Sequence, residues 1–129
     1  MFLQIDFQNG LPIYEQVVRQ VKFAIAGEDF KEGELLPSVR EIARELAINP
    51  NTVARAFRQL QTDGVLQPVR GTGLAVATGA AERCRSERVE LIRARLVQVL
   101  SEAMQSRLEP DELRALVERE LSAVNSRKA

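Results

Sequence analysis

Between residues 36 and 66 two helical apolar patterns are parted by the insert Ile48-Asn49-Pro50-Asn51-Thr52. No single helix can run through it, because proline lacks the N–H that the helix ladder needs and its ring clashes with the preceding turn. The same residue is well tolerated at the first position of a helix, where the N–H would be unpaired anyway, and Asn49 just before it can accept a hydrogen bond from the new backbone. The insert is therefore a stop followed by a restart. Upstream, Ser38 and Glu41 have the S-x-x-E spacing of a capping box, and Val39, Ile42, Ala43 and Leu46 make one stripe that can extend only to about Ala47. Downstream, Val53, Ala56, Phe57 and Leu60 turn inward on a helix that stops near Gly64. Two short amphipathic helices joined by a tight turn are a helix-turn-helix.

The flanks fit that unit. After an extended lead-in, Pro12 occupies a first-turn position and Tyr14, Val17, Val18, Val21 and Ile25 recur at helical spacing until Gly27. Glu28 to Glu34 is a polar connection with Gly33 at a turn. Beyond the third helix, Leu66 to Ala77 holds two short apolar runs around Arg70-Gly71-Thr72-Gly73, the pattern of a β-hairpin with a flexible tip. A nucleotide-phosphate loop would need a long helix after its glycines, and Leu74-Ala75-Val76-Ala77 is strand-like instead. A hairpin directly after a helix-turn-helix is a wing. The expected fold class is mainly α with a small β-hairpin, a winged helix-turn-helix over residues 1–79, followed by a two-helix C-terminal dimerisation tail over residues 80–129.

Composition narrows the chemistry. The chain of 129 residues contains no histidine and one cysteine, Cys84. Histidine general bases, serine or cysteine triads and most metal sites lose their raw material, so no enzyme, cofactor or metal is expected. No apolar run approaches the roughly 18 residues of a membrane span, the N-terminus lacks a signal-like pattern, and a cytoplasmic location with no membrane partner follows as the expectation. Net charge is +0, yet recognition of phosphates depends on the local face, not on the total. On the third helix, at about 100° per residue, Asn51, Arg55, Arg58 and Thr62 lie opposite the apolar stripe with Thr52 beside them, and none is acidic. Such a face offers amides and guanidinium groups suited to phosphates and base edges. A solvated helix lacking Asp and Glu by chance would look the same.

The run Leu36-Pro37-Ser38-x-Arg40-x-Ile42-Ala43-x-x-Leu46-x-Ile48-Asn49-x-x-Thr52-Val53-x-x-Ala56-x-x-x-Leu60-x-x-x-Gly64-x-Leu66, with Gly71-x-Gly73-x-x-Val76, resembles the winged-helix head of the GntR family of bacterial transcription regulators. The resemblance spans about residues 11–77. It implies that Ser38 and Arg40 at the head of the second helix, Asn51, Thr52 and Arg55 on the third, and Gly71 at the wing tip face double-stranded DNA. With the neighbouring donors and the rest of the tip, the expected DNA-binding set is Ser38, Arg40, Asn49, Asn51, Thr52, Arg55, Arg58, Arg70, Gly71, Thr72 and Gly73. At the tip position that is often basic in the family this chain has Thr72, and the usual aromatic after the second glycine corresponds to Ala75.

In the tail, Val89, Ile92, Leu96, Val99 and Ala103 alternate three and four apart, with Leu100 and Met104 widening the stripe. After a break at Glu109-Pro110, Asp111 and Glu112 open another helix whose Leu113, Leu116, Val117 and Leu121 share a face and whose end carries Arg127 and Lys128. Two helices cannot bury such stripes between themselves, so a second copy of the chain is the expected partner; packing on the first helix is the alternative. A two-helix tail resembles the YtrA-like branch of the family, which implies a dimeric repressor on a palindromic operator. A possible small-molecule effector would lodge between head and tail or between subunits. Cys84 is expected in a linker as an incidental thiol. A non-catalytic winged-helix module that meets an acidic protein is the competing function, and salt dependence of duplex binding separates the two.

Overall fold

The computed structural model describes residues 3–128, with side chains to residue 127; Met1, Phe2, Ala129 and the side chain of Lys128 lie outside the described part. In chain order the elements are α1 (Ile13–Ala26), α2 (Val39–Leu46), α3 (Pro50–Thr62), β1 (Leu66–Val69), β2 (Gly73–Val76), α4 (Ala80–Gln105) and α5 (Pro110–Lys128). The chain is mainly helical with one two-stranded hairpin, as the sequence leads one to expect. It forms two compact units, Met1–Val89 and Glu90–Ala129. The first ten residues of α4 thus belong with the N-terminal unit.

The stop and restart form as the sequence dictates. Ser38 caps α2 through a complete capping box, its Oγ accepting from Glu41 N at 3.1 Å while Glu41 Oε1 accepts from Ser38 N at 3.2 Å. Asn49 Oδ1 accepts from Asn51 N at 2.8 Å, and Pro50 is the first residue of α3. Between them Ala47 adopts φ 56° and ψ 46°, and Ile48 N–H donates to Ala43 O at 3.0 Å. The same closure, a left-handed residue followed by an N–H bonded five residues back, recurs at Glu28, Gly64 and Arg107. It satisfies carbonyls that a helix end leaves free. The glycine expected to end α1, Gly27, keeps φ −86°, and the left-handed position falls on Glu28. Pro12 likewise stands one residue before the first turn, as the N-cap with ψ 145°.

Core residues come from every element of the N-terminal unit: Val17, Val21 and Ile25 of α1, Ile42 and Ala43 of α2, Val53, Ala56, Phe57 and Leu60 of α3, and Leu66 and Val76 of the hairpin. The lead-in is stitched to α1 by two amides. The buried Gln16 donates from Nε2 to Asp6 O (2.8 Å) and Leu11 O (3.1 Å) and accepts from Asp6 N (2.9 Å), while Gln20 exchanges hydrogen bonds with the backbone of Gln4. The hairpin is antiparallel, with Leu66 opposite Val76 and Val69 opposite Gly73. Its inner strand is also paired on the other side, through a bridge of Leu35 with Ala75 and bonds of Leu36 N to Leu74 O and Val76 N to Glu34 O. The wing is thereby fixed to the polar connection before α2.

Cys84, expected in a linker, instead sits on α4 and is 1% exposed within the core of the N-terminal unit. Together with the buried Ala80 it shows why the unit extends past the wing: these small side chains of α4 complete its core. Burial pushes the thiol's pKa up, outweighing the nearby Lys22 and Arg83 charges, which leaves little thiolate at neutral pH. In the C-terminal unit no described side chain is buried. Val89, Ile92, Leu96, Val99 and Met104, together with Leu116, Val117 and Leu121, are exposed large apolar residues, while Leu100, Ala103 and Leu113 are half-buried. Val97 and Val124, which the stripe did not include, are exposed beside them.

Candidate nucleic-acid interface

The helix-turn-helix presents one face of α3. Val53, Ala56, Phe57 and Leu60 are buried, so Asn51, Arg55, Arg58 and Thr62 are left exposed and Thr52 half-buried. From Pro50 to Thr62 the helix carries no acidic residue. The carboxylate that closes it, Asp63, is already paired: its oxygens accept from Lys22 Nζ at 3.0 Å and from Gln59 Nε2 at 2.9 Å. An anion approaching α3 thus meets guanidinium and amide donors, a positive helix amino end and no free acid on the helix itself.

Four of the residues expected to bind DNA are brought together. Asn51, Thr52, Arg55 and Arg58 line one shallow open depression, whose other wall is Ile13 and Tyr14 of α1. The guanidinium carbon of Arg55 lies 3.7 Å from the centroid of the Tyr14 ring. Apolar periodicity assigns Tyr14 to the core stripe of α1, and its ring is indeed half-buried against the core. Its contact with Arg55 is not readable from that spacing. The one available signal is that Tyr14 alone in that stripe is amphipathic, a residue type that suits a boundary between core and solvent.

The other expected residues lie elsewhere on the surface. Ser38 and Arg40 are exposed at the head of α2, and the Ser38 hydroxyl, with its oxygen accepting in the cap, keeps its proton free to donate. Asn49 is exposed, but its oxygen is committed to capping α3. At the wing tip Arg70, Gly71, Thr72 and Gly73 are all exposed. Thr72 N–H closes the turn onto Val69 O at 3.0 Å, and Gly71 takes φ 74°, a conformation that glycine adopts without strain. Ala75, at the position where the family usually has an aromatic, is buried between its two strand neighbours. Among the described residues no cluster of His, Cys, Asp or Glu could hold a metal ion, and no helix is long and apolar enough to cross a membrane.

A helix-turn-helix with an acid-free second helix, followed by a hairpin anchored to the connection before it, is the architecture of winged-helix DNA-binding proteins. The profile of bacterial regulatory proteins of the gntR family matches residues 13–76. The HTH-type transcriptional repressor YtrA of Bacillus subtilis is 33% identical over 121 residues, which cover 94% of this chain and 92% of that protein. The chain belongs to the GntR family. Among solved structures, a GntR family transcriptional regulator from Listeria monocytogenes superposes with a TM-score of 0.67 at 29% identity, over 88% of this chain and 98% of the other. The DNA-binding domain of AraR, solved in complex with operator ORE1, superposes with a TM-score of 0.51 at 25% identity, over 57% of this chain and 89% of its own.

Proposed function

We propose that this regulator is a non-enzymatic homodimeric repressor acting in the cytoplasm on a two-fold symmetric operator. The observation that carries the DNA contact is the acid-free exposed face of α3, where Asn51, Thr52, Arg55 and Arg58 converge on one depression. In this proposal α3 enters the major groove, with Asn51 and Arg55 toward base edges and Arg58 toward the backbone. Ser38 and Arg40 then grip phosphates beside it, and Arg70 to Gly73 of the wing reach the neighbouring groove edge. Two observations support repression by a dimer. The C-terminal unit presents apolar side chains with none buried among its described residues, which a second copy would cover, and a relative that matches over 92% of its own length is named a repressor. A dimer with two recognition helices reads two half-sites, hence the symmetric operator. A small effector would work by shifting dimer geometry, since the tail encloses no buried core of its own.

Selection of duplexes from a random pool by the full chain, followed by binding to the selected sequence at several salt concentrations, tests the proposal. A two-fold symmetric sequence should emerge, and affinity should fall by about 0.9 log unit per log unit of salt for each phosphate contacted. Failure to enrich any sequence, together with salt-insensitive binding, would overturn it and leave the protein-interaction alternative.

A further inference from the structure

We propose that Tyr14, which stands on α1 outside the helix-turn-helix, is a specificity-determining positioning residue that orients Arg55 for base recognition. The inference rests on the DNA-reading role proposed above for α3. Three observations carry it. The Arg55 guanidinium stacks over the Tyr14 ring, 3.7 Å from its centroid. Arg55 is otherwise exposed, its own helix carries no acid to draw it away, and Asp63 at the helix end is taken by Lys22 and Gln59. Tyr14 is itself packed against the core and lines the same depression as Asn51, Thr52, Arg55 and Arg58.

The stacking geometry matters for recognition. A cation over an aromatic face uses the ring's negative quadrupole and leaves the guanidinium's N–H donors unspent in its own plane. Those in-plane donors are the ones that form a bidentate pair with O6 and N7 of guanine or with a phosphate. An exposed arginine normally samples many rotamers and loses that freedom on binding, whereas one held against a fixed ring has lost part of it beforehand. A ring anchored in the core is a rigid support for such a side chain. The base-reading arginine on α3 is therefore set by a residue on a different helix, and substitutions at position 14 should alter discrimination through Arg55.

Full-length wild type, Tyr14→Phe, Tyr14→Leu, Arg55→Ala and the Tyr14→Leu/Arg55→Ala double variant should be compared on the duplex that wild type selects and on a scrambled duplex, with thermal melting confirming the fold. Tyr14→Leu keeps the apolar packing and removes the π face; Tyr14→Phe keeps both. Phe should bind like wild type. Leu should lose about tenfold on the selected duplex, little on the scrambled one, and add almost nothing in the Arg55→Ala background. Equal loss on both duplexes, loss that persists without Arg55, a gain of affinity, or a Phe variant as weak as Leu would each overturn the inference. If wild type itself selects no sequence, the proposed function fails with it; if wild type selects one and Leu binds it unchanged, only the role of Tyr14 fails.

Discussion

The ammonium of Lys22 lies 2.9 Å from a carboxylate oxygen of Glu87, and the same nitrogen is 3.0 Å from Asp63. One buried lysine on α1 thus joins the end of α3 to the first turns of α4. Burial alone would lower its pKa, but the hydrogen bonds to Glu87 and Asp63 more than offset this and hold it above the ordinary lysine value. Lys22→Met leaves two carboxylates facing an apolar side chain. Both are partly hydrated, so the cost is expected to be about 1–2 kcal/mol, less than for a fully buried pair. Because the folded-state pKa is raised, the stability that the charged lysine contributes is fully present below the unfolded value of about 10.4. It is lost as pH climbs through the folded value above that. Urea denaturation from pH 7 to 11 should show a gap between wild type and Lys22→Met that is constant at first and narrows only above about pH 10.4. A gap unchanged at pH 11 would show that packing, not charge, stabilises this junction.

At Ala47 the backbone is in the left-handed region with φ 56°. A side chain there costs roughly 1–2 kcal/mol relative to right-handed geometry, and glycine escapes this at the expense of greater freedom when unfolded. Ala47→Gly is therefore expected to stabilise the fold by about 0.5–1 kcal/mol, while Ala47→Val, which adds a branch at Cβ, should lose at least as much. Chemical denaturation midpoints check both, and DNA affinity should stay as in wild type because the turn geometry is unchanged.

What the sequence made legible is what local rules govern. The proline restart, the capping box and the apolar stripes each act within a few residues, and α2, α3 and the hairpin form where those signals stand. Less was legible where contacts join distant residues. The bridge of Leu35 to Ala75, the clasp of Gln16 on the lead-in and the pairing of Lys22 with Glu87 depend on how elements pack. Nothing local distinguishes Lys22 from the other lysines, and a thiol such as Cys84 is equally at home in a linker or a core. Tyr14 was half legible: its spacing marked the core side of the ring, while the arginine above it comes from another helix.

Arg40 and Arg55 are expected to contribute differently to binding. Arg40 is exposed at the head of α2; if it grips a phosphate as proposed, Arg40→Ala should weaken selected and random duplexes by the same factor and reduce the salt slope by about 1. Arg55→Ala should cost roughly 1–3 kcal/mol on the selected sequence and far less on random duplex. Anisotropy titrations at two or more salt concentrations distinguish them. Uniform loss from both variants would place Arg55 on the backbone as well.

Leu96 and Val99 are 48% and 57% exposed in the chain, so charging them removes little of the single subunit's own stability. In a dimer interface the same change buries unpaired charges, at a cost of several kcal/mol. Leu96→Glu with Val99→Glu should therefore keep the helical content, since glutamate is a good helix former, while the protein sediments as a monomer. Joining two heads makes the second DNA contact intramolecular, so losing the join should weaken operator binding by about 100-fold or more. Removing the tail outright gives an independent check, and the cut must respect the core. A chain ending at Val89 keeps Cys84 in the core and Glu87 on Lys22, whereas one ending before α4 would open the N-terminal unit and confuse lost dimerisation with lost folding. The shorter chain should melt cooperatively, sediment as a monomer and bind the operator as weakly as the double variant. If either protein remains a dimer at micromolar concentration, the subunits meet through a surface other than these apolar faces.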